Sequence, residues 1–244
     1  MKRYKMTVEY LGTNYSGWQS QAKGVGVQQI IEATLSEFFK TDIKIHGSGR
    51  TDKGAHAKGQ VAHFDIDTKI KEYNIIRAVN LILPSDIQIQ NLEIVDNNFH
   101  SQYDAKSKVY EYKAYISKYE RPTLEVDHAR IIPPIDMNLI REKAKLLVGT
   151  HDFKAFCAVG SAIKDTTRTI YSIDVLEHDG EIIFRFEGNG FLYNMIRIIV
   201  GTLVFLGKGA IAKDSIEKML ETGDRDYGGK TYAAKGLTLK EVKY

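Results

Sequence analysis

The sequence is poor in cysteine and in clustered metal ligands. Cys157 is its only cysteine, so neither a disulfide framework nor a cysteine zinc site can form within one chain. The seven histidines are scattered without the paired spacing of metal ligands, and we predict no bound metal. No apolar run approaches the roughly 20 residues that span a bilayer. The segment Met1–Thr7 reads as a strand rather than an apolar signal region, so we expect a cytoplasmic protein without membrane contact.

The overall composition is that of an ordinary globular protein. Hydrophobic residues make up 43% and charged residues 27% of the 244 residues, which is enough for one large domain or two compact halves. The net charge is only +3, with a pI of about 8.7. This weak positive charge permits an acidic partner such as RNA without establishing one.

A glycine-rich segment carries the strongest chemical signal. It reads Gly47-Ser-Gly-Arg-Thr-Asp-Lys-Gly-Ala-His56 and presents Asp52 between Arg50 and Lys53. Glycines let the backbone turn tightly, and flanking cations favour the ionised carboxylate. Asp52 is therefore a candidate nucleophile. The alternative is a turn in which the aspartate side chain merely caps its own backbone.

An apolar helix with one arginine is the second signal. Residues 191–206 are hydrophobic on nearly every side except at Arg197. An unpaired buried guanidinium costs about 3–5 kcal/mol, so Arg197 needs a carboxylate or several acceptors. Asp52 is one attractive partner. The alternative is that Arg197 extends to the surface or pairs with a structural acid such as Glu187.

Two further segments are candidates for contact with a ligand. From Lys108 to Tyr115, tyrosines alternate with charges, a pattern that suits both base stacking and sheet cores; one of Tyr110 and Tyr112 is a candidate to face a cleft. The loop from Tyr10 to Gln19 contains two glycines and the only tryptophan. Its simplest interpretation is a structural plug, and a substrate-facing loop is the alternative.

The periodicity predicts an α+β fold. We predict strands at 4–10, 43–46, 60–66, 87–95, 109–117, 169–177, 181–187 and 237–242, with a turn at Asp179-Gly180. Helices are predicted at 27–39, 73–83, 191–206 and 212–221, with a further helix opened by Asp136 and closed by Gly149 after a proline-containing loop. The order suggests two ferredoxin-like halves, 1–100 and 101–244, joined through a largely antiparallel mixed sheet with a central active-site cleft.

Two observations on the sequence argue against other chemistries. Ser161 and Lys164 have the spacing of some acyl enzymes, but no partner motif accompanies them. No phosphate-binding loop with Gly-Lys-Ser or Gly-Lys-Thr occurs, so a nucleotide cofactor is not expected.

Taken in order, the motifs resemble those of the TruA family of bacterial tRNA pseudouridine synthases, from about residue 4 to residue 244. The matching segments are 12–19; Gly49-Arg-Thr-Asp52 with Gly54, His56-Ala57, Gly59-Gln-Val61 and His63-Phe64; Phe99-His100 with Lys108, Tyr110 and Tyr112; His151-Asp-Phe153; Arg168-Thr-Ile170; and 189–192 with Met195, Arg197, Val200 and Gly201.

The resemblance implies roles for particular residues. It implies that Asp52 is the catalytic aspartate, that Tyr110 lies against the target base and that Arg197 pairs with Asp52. Arg50 corresponds to an arginine that is associated with RNA and with extrusion of the target nucleotide. Substrate binding is assigned to Arg50, Thr51, His56, Lys108 and Tyr110.

The resemblance also implies a reaction and partners. The reaction is isomerisation of uridine at positions 38, 39 and 40 of the tRNA anticodon stem-loop, without metal, nucleotide or organic cofactor. A homodimer is implied. The aspartate can act as nucleophile or as electrostatic partner of a glycal route, and both remain open.

The chain departs from the family pattern at several positions. Ala55 replaces a usual valine, Gln102 an expected arginine and Lys154 a small hydroxyl residue, and residues 232–237 lack the usual proline. Together these differences permit a paralogue with shifted or narrowed substrate choice. Two alternatives to the enzyme of the resemblance stay open. One is a same-fold synthase for another RNA, and the other is a non-catalytic protein that binds or folds tRNA.

Overall fold

The computed structural model describes residues 1–19, 24–158, 160 and 164–244. The chain forms two compact units, the first from residues 1–106 with 238–244 and the second from residues 107–237. The predicted division into domains 1–100 and 101–244 stays a prediction. Ser161 lies outside the described residues. None of the helices in the described part of the chain is long and apolar enough to span a membrane.

The strands are β1 (Lys2–Tyr10), β2 (His46–Gly47), β3 (His56–Ile66), β4 (Ile87–Val95), β5 (Ser107–Ile116), β6 (Ala129–Ile131), β7 (Gly149–Asp152), β8 (Thr167–His178), β9 (Glu181–Gly188) and β10 (Leu237–Lys243). The α-helices are α1 (Val27–Phe39), α2 (Glu72–Ile82), α3 (Met137–Ala144), α4 (Met195–Gly207) and α5 (Ser215–Thr222).

Unit 1 has the split strand-helix order that the sequence predicts. Its strands lie in the order β4-β1-β3-β2, and each neighbouring pair is antiparallel. The terminal strand β10 runs parallel to the start of β3, with Thr238 opposite His56. Alternate residues of β1 are buried, and α1 buries Val27, Ile31 and Leu35 at helical spacing. The core of unit 1 therefore lies between this sheet and its helices.

Unit 2 is built on a hairpin and a buried helix. β9 pairs antiparallel with both β5 and β8, β7 extends the edge beyond β8, and β6 pairs parallel with β5. The predicted hairpin turn is confirmed, since Asp179 and Gly180 both have positive φ. In α4 every residue except Arg197 and Phe205 is buried. Together the two units confirm an α+β fold with largely antiparallel, mixed strand pairing; the central cleft stays a prediction.

Several element boundaries confirm the sequence predictions, whereas the predicted strand at 43–46 is wrong over most of its length. α1 and β4 have the predicted bounds. Only His46 of the predicted strand pairs with a neighbouring strand. The amides of Ile43 and Ile45 instead donate to Ser36 Oγ and Glu32 Oε1 on α1. These side-chain acceptors replace a strand partner.

Three helices differ from their predicted bounds by more than one residue. Asp136 caps α3 as predicted, accepting from the amides of Asn138 and Leu139, but α3 ends at Ala144 and a 3-10 turn follows it. Gly149, predicted to close this helix, begins β7. The predicted helix at 191–206 begins only at Met195, because Asn194 has a left-handed backbone. The helix predicted at 212–221 spans Ser215–Thr222.

Gly201 tests the close packing of α4. A Cβ added there would lie 1.8 Å from the carbonyl oxygen of Lys230. Gly201→Ala should therefore lower the free energy of unfolding by about 2 kcal/mol or more, even though alanine favours helix by about 1 kcal/mol. Urea unfolding measures this, with Gly190→Ala as the control, since a Cβ at Gly190 would meet nothing closer than 3.7 Å. Equal stability of the two variants would contradict the packing.

Candidate active site

The Asp52 loop joins β2 to β3 and turns at Gly54. Gly54 has a φ of +80°, and the amide of Ala55 donates to the carbonyl oxygen of Asp52 at 3.0 Å. Asp52 is partly exposed, whereas Thr51 is buried and Arg50 is exposed. The loop therefore contains a tight turn and leaves Asp52 partly exposed.

A buried hydroxyl pair holds the residue before Asp52. The Tyr10 hydroxyl on β1 lies 2.8 Å from Thr51 Oγ1, and the amide of Trp18 donates to the carbonyl oxygen of Thr51 at 3.3 Å. Burial raises the pKa of Tyr10 above its usual range, so this hydroxyl stays protonated. Thr51, predicted to bind substrate, thus makes an internal hydrogen bond that orients the loop.

The loop from Gly12 to Trp18 packs against the Asp52 loop at backbone distance. A Cβ at Gly12 would lie 1.8 Å from the carbonyl oxygen of Ala55, and one at Gly17 would lie 2.4 Å from that of Thr51. Gly17 also has a φ of +91°, which favours glycine. The buried Trp18 ring covers Gly47, where a Cβ would lie 2.3 Å from Nε1. The loop from Gly12 to Trp18 is therefore a structural plug, which was its simplest interpretation from the sequence. It supports the Asp52 loop.

His56 and Gln60 hold the loop from the side of β3. His56 is buried and accepts a hydrogen bond at Nδ1 from the amide of Gly12 at 2.9 Å. Gln60 accepts from the hydroxyl of Ser48 at 2.8 Å and donates to the carbonyl oxygen of Gly49 at 2.9 Å. No role for Gln60 was predicted from the sequence.

Unit 2 contains the tyrosine strand. Tyr110 is buried on β5, opposite Phe186 of β9, and its ring contacts Phe191 edge to face with 5.3 Å between centroids. Tyr112 is fully buried, and its hydroxyl donates to the carbonyl oxygen of Ala233 at 2.6 Å. Tyr112 is therefore a core residue, which leaves Tyr110 as the candidate for contact with a base.

Lys108 lies two residues before Tyr110 on β5, opposite Gly188 of β9. Burial and, to a smaller extent, the charge of the nearby Arg168 lower the pKa of Lys108 to about 8. A partly buried ammonium next to a second cation is well suited to a phosphate or another anion. Lys108 remains mostly protonated at pH 7.

The Arg197 guanidinium has hydrogen-bond acceptors within unit 2. Its Nε donates to the carbonyl oxygen of Tyr232 at 2.8 Å, and its Nη1 donates to Asn194 Oδ1 at 2.6 Å. These acceptors meet part of the need that the apolar helix predicts. Glu187, the structural acid considered from the sequence, accepts from the hydroxyl of Ser107 at 2.9 Å. These two acceptors are neutral, so they orient the charge of Arg197 without cancelling it.

A histidine cluster lies beside β2 and was not predicted. His46, His63 and His100 have ring centroids 4.8–6.1 Å apart, and Ser101 hydrogen-bonds to His63 Nδ1 and to the carbonyl oxygen of His46. Burial and, to a smaller extent, the charges of Arg3, His100 and His46 together lower the pKa of His63 to about 4. Among the described residues, no group of three or more His, Cys, Asp or Glu side chains is arranged to hold a metal ion.

The shifted pKa of His63 predicts acid sensitivity. Because His63 is neutral in the fold down to about pH 4 and titrates near 6.5 when unfolded, the unfolded chain binds more protons between these values. Stability should therefore fall as the pH drops from 6.5 to 4, by up to about 3 kcal/mol from this group.

Thermal unfolding across this pH range tests the prediction. His63→Gln should show a flatter profile than the wild type, whereas the exposed control His178→Gln should follow the wild type. Parallel profiles for His63→Gln and the wild type would contradict the assignment.

Comparison with known proteins gives the family. Residues 6–104 and 144–244 match the family model described as tRNA pseudouridine synthase. The chain is 42% identical to "tRNA pseudouridine synthase A" of Exiguobacterium sibiricum, covering 100% of this chain and 97% of that protein. It is 43% identical to "tRNA pseudouridine synthase A 1" of Bacillus cereus, covering 100% and 99%.

Among solved structures, a chain of the "Cbf5-Nop10-Gar1 Complex" aligns with 97% of this chain and 48% of its own length, at 13% identity and a TM-score of 0.46. That likeness is too distant to carry an argument.

These matches, together with the fold and the Asp52 loop, identify the chain as an RNA-modifying isomerase. The chain belongs to the tRNA pseudouridine synthase family. It is accordingly an enzyme that isomerises uridine in tRNA.

Proposed function

We propose that this chain forms pseudouridine in the anticodon stem-loop of tRNA, at positions 38, 39 and 40, with Asp52 as the catalytic residue. The observation that carries the proposal is the Asp52 loop itself. Close backbone contacts of Gly12 and Gly17 fix its course while Asp52 stays partly exposed. A fixed carboxylate avoids the reorganisation that a mobile one would need as charge develops at the sugar.

The chemistry needs one carboxylate and no redox or group-transfer partner. The C1′–N1 bond of uridine breaks, the uracil turns, and C5 bonds to C1′; C5 then loses its proton while N1 gains one. Asp52 serves either as nucleophile at C1′ or as the negative partner of a glycal route. Atoms and electrons balance within the substrate and water, in keeping with the expectation of no metal, nucleotide or organic cofactor.

The remaining residues bind and present the base. A stacked base must be flipped out of the helix before its glycosidic bond can be reached. In this proposal, the Tyr110 ring, supported by Phe191, lies against the extruded uracil. The exposed Arg50 contacts RNA and helps to draw the nucleotide out. Lys108 meets a phosphate, since its ammonium is partly buried beside Arg168.

Three roles complete the proposed site. Arg197 pairs with Asp52 and keeps the carboxylate ionised. Thr51 and His56 belong to the substrate-binding set through the loop they orient, since both side chains bond within unit 1. The proposal also includes a homodimer, in which one subunit can hold the tRNA body while the other acts, and a cytoplasmic location, where tRNA is available.

Asp52→Ala should abolish turnover while leaving tRNA binding largely intact. The carboxylate is the reacting group, and removing one charge does not remove the cationic contacts to phosphate. An unmodified tRNA transcript with tritium at C5 of its uridines reports turnover by tritium release, and filter binding reports the Kd. Asp42→Asn is the matched control, because its carboxylate is 78% exposed; this variant should release tritium at the wild-type rate.

Two outcomes would reject parts of the proposal. Tritium release by folded Asp52→Ala at the wild-type rate would remove Asp52 from the mechanism. No release by a folded, tRNA-binding wild type would favour another RNA substrate or a tRNA-folding protein. Separately, light scattering at micromolar concentration should give the mass of two chains; a monomer would reject the homodimer.

A further inference from the structure

Asn194 has an unusual backbone at the start of α4. Its φ is +60°, and among the described non-glycine residues only Lys40 and Asp179 also have positive φ. Asparagine tolerates this left-handed region better than most residues. Its carbonyl oxygen accepts from the amide of Ile198 at 2.9 Å. The backbone of Asn194 thus begins the helix, and its side chain makes a separate hydrogen bond.

The Asn194 side chain accepts a hydrogen bond from a charged group. Asn194 Oδ1 accepts from Arg197 Nη1 at 2.6 Å, which is short for a nitrogen donor and typical of a charge-assisted bond. Because the two residues are three positions apart, the bond closes over the first turn of α4. The orientation of the guanidinium therefore depends on the left-handed residue that precedes the helix.

Tyr232 holds the same guanidinium from another direction. Its carbonyl oxygen accepts from Arg197 Nε, and its amide donates to the carbonyl oxygen of Arg197 at 3.1 Å. The Tyr232 hydroxyl in turn donates to the carbonyl oxygen of Arg130 at 2.8 Å. Two acceptors on different nitrogens of a planar group restrict its rotation. Asn194 supplies the only one of these two acceptors that belongs to a side chain.

The neutrality of both acceptors matters for electrostatics. A carboxylate at position 194 would orient the guanidinium and also cancel its charge. An amide oxygen and a backbone carbonyl orient it and leave the positive charge to act on another group. The arrangement is therefore one for presenting a cation in a fixed direction.

We propose that Asn194 is a positioning residue, which fixes the Arg197 guanidinium so that its charge acts on the catalytic carboxylate. This inference rests on the proposed function, in which Arg197 pairs with Asp52. Asn194 does not touch the reacting atoms. Its effect passes through Arg197 and should appear in the rate of the chemical step rather than in tRNA affinity.

Three substitutions separate the side chain from the backbone. Asn194→Gly keeps the left-handed conformation and removes the acceptor, Asn194→Asp keeps an oxygen acceptor and adds a charge, and Asn194→Ala loses both features. A hydrogen bond to a charged group is worth about 1.5–3 kcal/mol, or about 10- to 150-fold in rate. We expect Asn194→Gly and Asn194→Asp to slow single-turnover pseudouridine formation by at least about 10-fold, with the tRNA Kd within about twofold of wild type.

The control is Asp179→Gly, which also replaces a non-glycine residue of positive φ and whose side chain is 89% exposed. It should turn over at the wild-type rate. Wild-type turnover by Asn194→Gly, with loss only in Asn194→Ala, would show that the backbone alone matters and would overturn the proposal. A rise in Kd without a change in rate would overturn it as well.

Coupling to Arg197 gives the second readout. In an Arg197→Lys background, Asn194→Gly should slow the reaction by less than about twofold further, because the guanidinium that it positions is already gone. The same cycle measured by thermal unfolding should also be non-additive, and this readout needs no turnover. If the wild type makes no pseudouridine but the unfolding cycle is non-additive, the proposed function fails while the positioning contact stands. Additive effects in both cycles would overturn the inference.

Discussion

The close contact between two backbone segments in unit 1 is the constraint on which the candidate site depends. Gly12 and Gly17 approach the carbonyl oxygens of Ala55 and Thr51 so closely that no side chain fits. This contact fixes the course of the Asp52 loop. The buried Tyr10 hydroxyl and the His56 ring then satisfy polar groups that such close packing would otherwise leave without partners.

Unit 2 follows the same design with different chemistry. The buried helix α4 carries one guanidinium, and neutral acceptors from Asn194 and Tyr232 direct it. Tyr110 is supported by Phe191, while Tyr112 fills the core. In both units, the groups proposed to meet the substrate are held by neighbours that are not themselves proposed to react. Preorganisation of this kind is the usual source of electrostatic stabilisation in enzymes.

The sequence predicted the fold class and the long elements because hydrophobic periodicity is local, as α1 and β4 show. It failed where a distant partner decides the structure. Ile43 and Ile45 read as strand, yet side chains of α1 take their amides. The start of α4 was misplaced because the left-handed Asn194 cannot be recognised from hydrophobicity. Asp52 stood out through its glycine-rich loop and Arg197 as the one charge of an apolar helix, while the family resemblance singled out Tyr110. Gln60 and Asn194, in contrast, act through contacts that appear only in the folded structure.

The most direct test of the account is to map pseudouridine in a tRNA transcript after incubation with the wild-type chain and no added cofactor. One transcript carries uridine at positions 38, 39 and 40, and a matched transcript carries cytidine there with compensating pairs. The account predicts pseudouridine at those positions in the first transcript and none in the second. Pseudouridine only at other positions in both transcripts would contradict the account. The absence of pseudouridine from both transcripts would contradict it as well.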